Sequence, residues 1–209
     1  MESYNKKLHQ VVNEQITRVN EEQKNVLAAL AEILKMRANI YERGIDKISA
    51  NSRMLAISLQ FSPKFDKEIS SAFVDKIETA SLLHDIGMLS VNDAVAYKDT
   101  NLTADELEGI RRHTVVGADY LQKINTDKNK NGYLEMAVEI AKYHHENWDG
   151  TGYPEGLSGT DIPLSARIVA VIDTFMALNS ERSYRDAYTR EESVEIIKSE
   201  SGRRFDPSI

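Results

Sequence analysis

The sequence predicts an all-α protein, on three observations. No stretch of useful length alternates apolar and polar residues with the period of two that a half-buried strand needs. Apolar residues recur instead at helical spacing, as in Ile69, Phe73, Ile77, Ala80 and Leu83. Two segments, Thr103-Ala-Asp-Glu106 and Thr189-Arg-Glu-Glu192, carry the threonine and glutamate of a capping box, which starts a helix.

Taken in order, residues 6–37 read as one helix without proline or glycine. Val12, Val19, Val26 and Ile33 repeat every seven residues, with Ile16 and Leu30 beside them. Gln15, Glu22 and Gln23 dilute the second row. This partial heptad fits a helix that pairs with its own copy, and equally one that packs on its own domain. A second helix is expected over 42–59, with a break at Ser62-Pro63, and a third over 66–83.

The third helix delivers His84-Asp85, followed by Ile86-Gly87. An aspartate can bridge two metal ions through its two oxygens while a histidine ligates one. The plainer reading is a helix end where His84 meets the dipole and Gly87 is the cap. The helix started at Thr103 carries His113, with Gly117 one turn later. Asp127, Asn129, Asn131 and Gly132 match the start of a calcium loop, but Val138 stands where its bidentate glutamate belongs, so a polar turn is expected.

Leu134 to Tyr143 forms a further helix that delivers His144-His145. Gly150, Gly152 and Pro154 then argue for a fixed, unusual backbone past its end. The helix from Leu164 to Leu178 is apolar except for Arg167 and Asp173. A carboxylate there is costly to bury unless paired or metal-bound, so Asp173 is a ligand candidate or the partner of Arg167. Arg182 and Arg185 form a basic pair suited to phosphate oxygens.

The chain has 209 residues, 41% hydrophobic and 28% charged, with a net charge of -7. That suits a soluble domain and argues against bulk binding of duplex nucleic acid, for which a basic surface is expected. Cysteine is absent, which excludes disulfides, thiolate zinc sites and a cysteine nucleophile. No apolar run approaches the roughly 20 residues of a membrane span, and the N-terminus has no signal-peptide core. A cytoplasmic location is expected.

His84, Asp85, His113, His144, His145 and Asp173 therefore form the candidate site. Four imidazoles and two carboxylates suit borderline-to-hard metals such as iron, manganese or zinc. Two such ions about 3.5–4 Å apart form a general device for phosphoester hydrolysis.

Leu-Leu-His84-Asp85-Ile-Gly87, His113-x-x-x-Gly117 and His144-His145-Glu146-x-x-Asp149-Gly150-x-Gly152-Tyr153-Pro154 together resemble the HD-GYP family. That family is the branch of the HD metal-dependent phosphohydrolases that hydrolyses cyclic di-GMP. The resemblance continues through Ala166-Arg167-Ile168, Asp173, Ser180-x-Arg182-x-Tyr184-Arg185 and Gly202 to Pro207. It implies an HD-superfamily helical bundle over 37–209, led by a signalling or dimerisation helix over 1–36. It implies six metal ligands, His84, Asp85, His113, His144, His145 and Asp173, with Asp85 bridging and Asp85 and Asp173 catalytic.

By the same resemblance Arg182 and Arg185 contact substrate phosphates. Gly152, Tyr153 and Pro154 stand beside the substrate in a signature loop completed by Glu146, Asp149 and Gly150. The implied cofactors are two divalent transition-metal ions, iron or manganese first, then zinc or nickel. The implied substrate is cyclic di-GMP or a related cyclic dinucleotide, giving pGpG or GMP. The implied partners are a second copy through the N-terminal helix and a sensor, receiver or diguanylate cyclase-type protein.

Three positions depart from the family pattern. The family run Arg-Asp-x-Glu-Thr-Gly-x-His aligns with Arg37-Ala-Asn-Ile40-Tyr-Glu-Arg-Gly44, so Ile40 replaces the glutamate and Gly44 the histidine. Met88 stands where the family has a lysine that holds the substrate phosphate. One lost charged hydrogen bond costs about 1.5–3 kcal/mol, or about ten- to a hundredfold in affinity or rate. The stretch around Phe61 to Phe73 is also longer than in the family. These departures leave three readings: an active phosphodiesterase, a degenerate receptor that binds without hydrolysis, and a hydrolase of a different cyclic dinucleotide. Retention of all six ligands argues for bound metal.

Overall fold

Leu27, Ala31 and Leu34 form a stripe on the first helix, and that stripe is buried where the helix meets the rest of the protein. The computed structural model describes residues 2–38, 45–96, 98, 100–124, 132–181 and 186–209. Among these the helices are α1 (Glu2–Ala38), α2 (Ile45–Gln60), α3 (Ser71–Ala80), α4 (Asp93–Ala96), α5 (Ala104–Arg111), α6 (His113–Ile124), α7 (Tyr133–Tyr143), α8 (Leu164–Leu178) and α9 (Arg190–Ser199). Short 3-10 turns cover Ser81–Leu83, Ile86–Ser90 and Gly159–Asp161. No strand occurs among the described residues, only isolated bridges at Asp149–Ser158 and Ser201–Phe205. The all-α expectation holds.

The core lies between α2, α3, α7 and α8, closed by the last turns of α1. Ile77, Leu83, Ile140 and Ile168 are fully buried in it, and burying such side chains stabilises the fold by roughly 1.5–3 kcal/mol each. A polar clamp joins α1 to this core. Lys24 Nζ lies 2.6 Å from Asp75 Oδ1 of α3, and the Tyr133 hydroxyl donates to the other oxygen of Asp75. The Tyr133 backbone N–H donates to Gln23 Oε1 at 3.1 Å. No described helix is long and apolar enough to cross a membrane.

The structure refines the sequence reading of three elements. The heptad residues Val12, Val19, Val26 and Ile33 are all exposed. The stripe that docks is instead Leu27, Ala31 and Leu34, on the helix that meets α3, α7 and the 3-10 turns after α3, with Leu34 clustered with Ile45. The third helix begins at Ser71, not near Asp66: Ser70 is extended, and its hydroxyl accepts the Phe73 N–H at 3.2 Å. Phe65 and Ile69 precede it as buried anchors of a turn, which gives the longer 61–73 stretch a packing role. The capping box at Thr103 starts α5 as expected, but α5 ends at Arg111 and His113 opens α6. Ile40 and Gly44, the polar turn at 125–131, and Arg182 and Arg185 lie outside the described residues.

Candidate metal centre

Each candidate ligand is aimed by an element end. α3 and its 3-10 turn stop at Leu83, leaving His84 buried and Asp85 at the head of the next turn. His113 opens α6 and is almost fully buried. His144 is the C-cap of α7, still in helical conformation, so His145 follows it towards the same space.

Two glycines set how closely these elements meet. A Cβ on Gly87 would lie 1.9 Å from the His113 carbonyl oxygen and 2.7 Å from the Gly117 nitrogen. Only glycine lets the turn carrying His84 and Asp85 lie against α6 at this distance. Gly87 has no left-handed backbone, so its role is this close approach, not the helix cap expected from the sequence.

The imidazoles share one orientation. His84 Nδ1 lies 3.0 Å from the Ser81 carbonyl, His113 Nδ1 2.7 Å from Ile110 and His144 Nδ1 2.8 Å from Ile140. A carbonyl only accepts, so each Nδ1 is the protonated nitrogen and donates. Each Nε2 then presents a lone pair, the usual arrangement of ligating histidines held by a backbone acceptor.

Those lone pairs converge on Asp85. His113 Nε2 lies 3.1 Å and His144 Nε2 3.4 Å from its Oδ1. His84 Nε2 lies 3.5 Å from its Oδ2 and 3.9 Å from Asp173 Oδ1. Ligand atoms of Asp85, His113, His144 and His145 all fall within 4.8 Å of one another. Asp85 Oδ1, His113 Nε2 and His144 Nε2 are buried without a hydrogen-bond partner. Buried acceptors are rarely left so, and three facing one another repel unless a cation lies among them. The donor set therefore fits a metal.

The electrostatics agree. Burial pushes the Asp85 carboxyl up, but His84, His113 and His144 outweigh it and hold the group well below the usual carboxylate range. Burial, then the neighbouring His144, holds His145 well below the ordinary imidazole value, so it stays neutral. Burial pushes His113 down, but the Asp85 carboxylate outweighs this and leaves it raised.

The Glu146–Pro154 loop is built around one carboxylate. Glu146 is buried and accepts the backbone N–H groups of Glu155 at 2.8 Å, Gly156 at 3.1 Å and Leu157 at 3.1 Å. A Cβ on Gly152 would lie 2.3 Å from the Asn147 nitrogen, so this position closes the loop only as glycine. Asp149 accepts from the Thr151 N–H at 3.0 Å and hydroxyl at 2.6 Å, and Gly150 N–H donates to Asn147 at 2.9 Å. These two serve the loop's shape. The Tyr153–Pro154 peptide is cis. Tyr153 N–H donates to the His145 carbonyl at 3.2 Å, and its ring stacks on His145 with centroids 4.9 Å apart.

Asp173 does not pair with Arg167. Arg167 Nη1 lies 2.6 Å from buried Asp206, and its Nε donates to the Ile162 carbonyl at 2.9 Å. That pair ties the C-terminal turn to α8. Asp173 is left facing His84. Met88 is half-buried in the turn after Asp85 and brings no charge to the site. Arg111, not singled out in the sequence, lies over the Tyr153 ring at 5.2 Å.

Helix ends that turn histidines onto one aspartate define a class of helical metal-binding folds. The chain belongs to the HD domain family, whose sequence model matches residues 66–209. It is 38% identical over 141 residues to 3'3'-cGAMP-specific phosphodiesterase 2 of Vibrio cholerae, covering 68% of this chain and 26% of that protein. It is 40% identical over 141 residues to a cyclic di-GMP phosphodiesterase of Thermotoga maritima, covering 68% of this chain and 37% of that protein. Among solved structures it is similar to a cyclic GMP-AMP specific phosphodiesterase of V. cholerae, with TM-score 0.60 at 19% identity, over 88% of this chain and 46% of that one. These findings agree with the HD-GYP resemblance.

Proposed function

We propose that this chain is a metal-dependent phosphodiesterase that hydrolyses cyclic di-GMP to pGpG or GMP at a two-metal centre. The observation that carries this reading is the division of Asp85: Oδ1 faces His113 and His144, and Oδ2 faces His84. Asp85, His113, His144 and His145 would hold one metal; His84, Asp85 and Asp173 would hold the other. When bound, such ions neutralise charge on phosphate oxygens and supply a nucleophile from water at neutral pH. Iron or manganese suits the nitrogen and oxygen donors best, with zinc or nickel as alternatives.

The protein groups have separate tasks. Asp85 spans the two ligand sets, and the Nδ1 donations to Ser81, Ile110 and Ile140 fix the rings that face it. Tyr153, stacked on His145, closes one flank against water. Asp173 completes the ligand side opposite His113. Arg182 and Arg185 are proposed to meet substrate phosphates. The receptor reading is not favoured, because six candidate ligands are present and Asp85, His113, His144 and His145 converge.

The test is metal content by plasma mass spectrometry on anaerobically purified protein, then product analysis with iron or manganese. About two metals per chain and release of pGpG or GMP support the proposal. One metal or none, with binding but no product, would sink it. The likeness to a 3'3'-cGAMP-specific relative supports a second substrate, and the same assay with that dinucleotide decides the preference.

The exposed stripe of Val12, Val19, Val26 and Ile33 suits pairing of α1 with a second copy. Sedimentation of the full chain and of Val19→Glu tests this: a wild-type dimer that the variant abolishes supports it, and a wild-type monomer overturns it.

A further inference from the structure

A cyclic dinucleotide carries two phosphodiesters, and only one can lie at the metal centre at a time. The other is an anion that needs a partner besides the proposed contacts of Arg182 and Arg185, and Met88 cannot supply a charge. From the structure we infer that Arg111 holds this second phosphate and so selects cyclic dinucleotides over substrates with a single phosphodiester. The inference rests on the phosphodiesterase reading above and deepens it.

The geometry is a three-layer stack leading away from the metal centre. His145, one of the clustered ligands, stacks on Tyr153 at 4.9 Å between centroids, with planes 27° apart. The Arg111 guanidinium lies 5.2 Å from the centroid of the same tyrosine ring. Tyr153 is thus a spacer between the candidate ligands and a cation, and Glu146 and the His145 carbonyl hold its loop in place.

The charge of Arg111 is only weakly engaged. Glu108 is its ion-pair partner in the structure, at 4.0 Å on an exposed surface, where such a pair is weak and readily exchanged. The tyrosine ring therefore has the candidate ligand His145 as one neighbour and the Arg111 cation as another. A planar guanidinium resting on an aromatic face keeps its N–H fork available and suits two oxygens of one phosphate. Arg111 ends α5, directly before Arg112 and His113, so the rotation that aims His113 inward also fixes where Arg111 stands.

The experiment compares kcat/KM for cyclic di-GMP with kcat/KM for bis(p-nitrophenyl) phosphate, which has one phosphodiester, on the manganese-loaded full chain. Arg111→Ala should lower the ratio of the two by about tenfold or more, the loss of one charged hydrogen bond. Arg111→Lys should recover part of the ratio, and Arg111→Glu should fall below Ala. A ratio within twofold of wild type for Arg111→Ala overturns the inference. If the wild type cleaves neither substrate, the phosphodiesterase reading fails by itself. Calorimetric titration with cyclic di-GMP then decides the role of Arg111. Affinity weakened at least tenfold by Arg111→Ala upholds it, and unchanged affinity, or no binding by the wild type, overturns it.

Discussion

On one side of Asp85, His113, His144 and His145 stand at the start of α6 and the end of α7, two helices packed along each other, with ligand atoms within 4.8 Å. On the other side, His84 and Asp173 stand 3.9 Å apart on elements distant in sequence. The first side is held by Nδ1 donations to Ile110 and Ile140 and by the close seat of Gly87 on α6. The second is the side the resemblance would complete with the positions of Ile40 and Gly44, neither of which has a ligating side chain. On the proposed two-metal reading, the shared carboxylate joins two sites of unequal strength. The three-histidine side should bind its metal tightly and the His84–Asp173 side weakly.

The strongest way to break this contrast is Asp85→Ala, which removes the residue common to both sides. Metal content should fall below one per chain, and turnover should drop by more than the ~10–100-fold that loss of a supporting contact costs. Mass spectrometry and product release check both. Retention of a full metal complement would show that Asp85 joins nothing.

Gly87→Ala attacks the spacing between the two sides. The new methyl would meet the His113 carbonyl at 1.9 Å, so the turn must move away from α6. Overpacking of this kind costs about 1–3 kcal/mol, or very roughly 2–12 °C in melting temperature for a chain of this size. Calorimetry should show this drop together with weakened metal binding.

Asp173→Ala sharpens the contrast by touching the weaker side alone. About one metal per chain should remain, on the three-histidine side, while turnover falls by roughly tenfold or more. Loss of both metals would mean that the two sides bind as one unit.

The smallest effect expected is in pH. The raised affinity of His113 for a proton means that metal must displace that proton. Metal affinity on its side is therefore full above the raised pKa and falls as pH drops through it. The fall should be about tenfold per pH unit for one displaced proton. His145, held low by burial, adds no such loss at the same pH. Metal titrations between about pH 8 and about pH 6 would show the slope.

Much of the site was legible because its chemistry is local. His84-Asp85 and His144-His145 are adjacent pairs at the ends of apolar helices, and helix periodicity brings them to element ends that face inward. Glu146 was legible as part of the loop, but not as its hub, because its three partners are backbone N–H groups that carry no side-chain signal. The Arg167–Asp206 pair spans 39 residues, and Asp173 on the same helix competed for the same arginine on paper. The sequence left open whether Val12 and Val19 turn inward or outward for a related reason. Periodicity reports that a helix has an apolar face, not which neighbour covers it.

The amino-acid sequence by itself determined the helices, the capping boxes at Thr103 and Thr189, and the identity of the clustered histidines and aspartates. Each follows from interactions within a few residues, whose strength depends on side-chain type and spacing. Only the tertiary structure decided that Asp85 divides its oxygens between two histidine groups, that Arg167 takes Asp206, and that Arg111 rests on Tyr153. Those are distances between elements, set by how glycines and buried apolar residues let the helices approach.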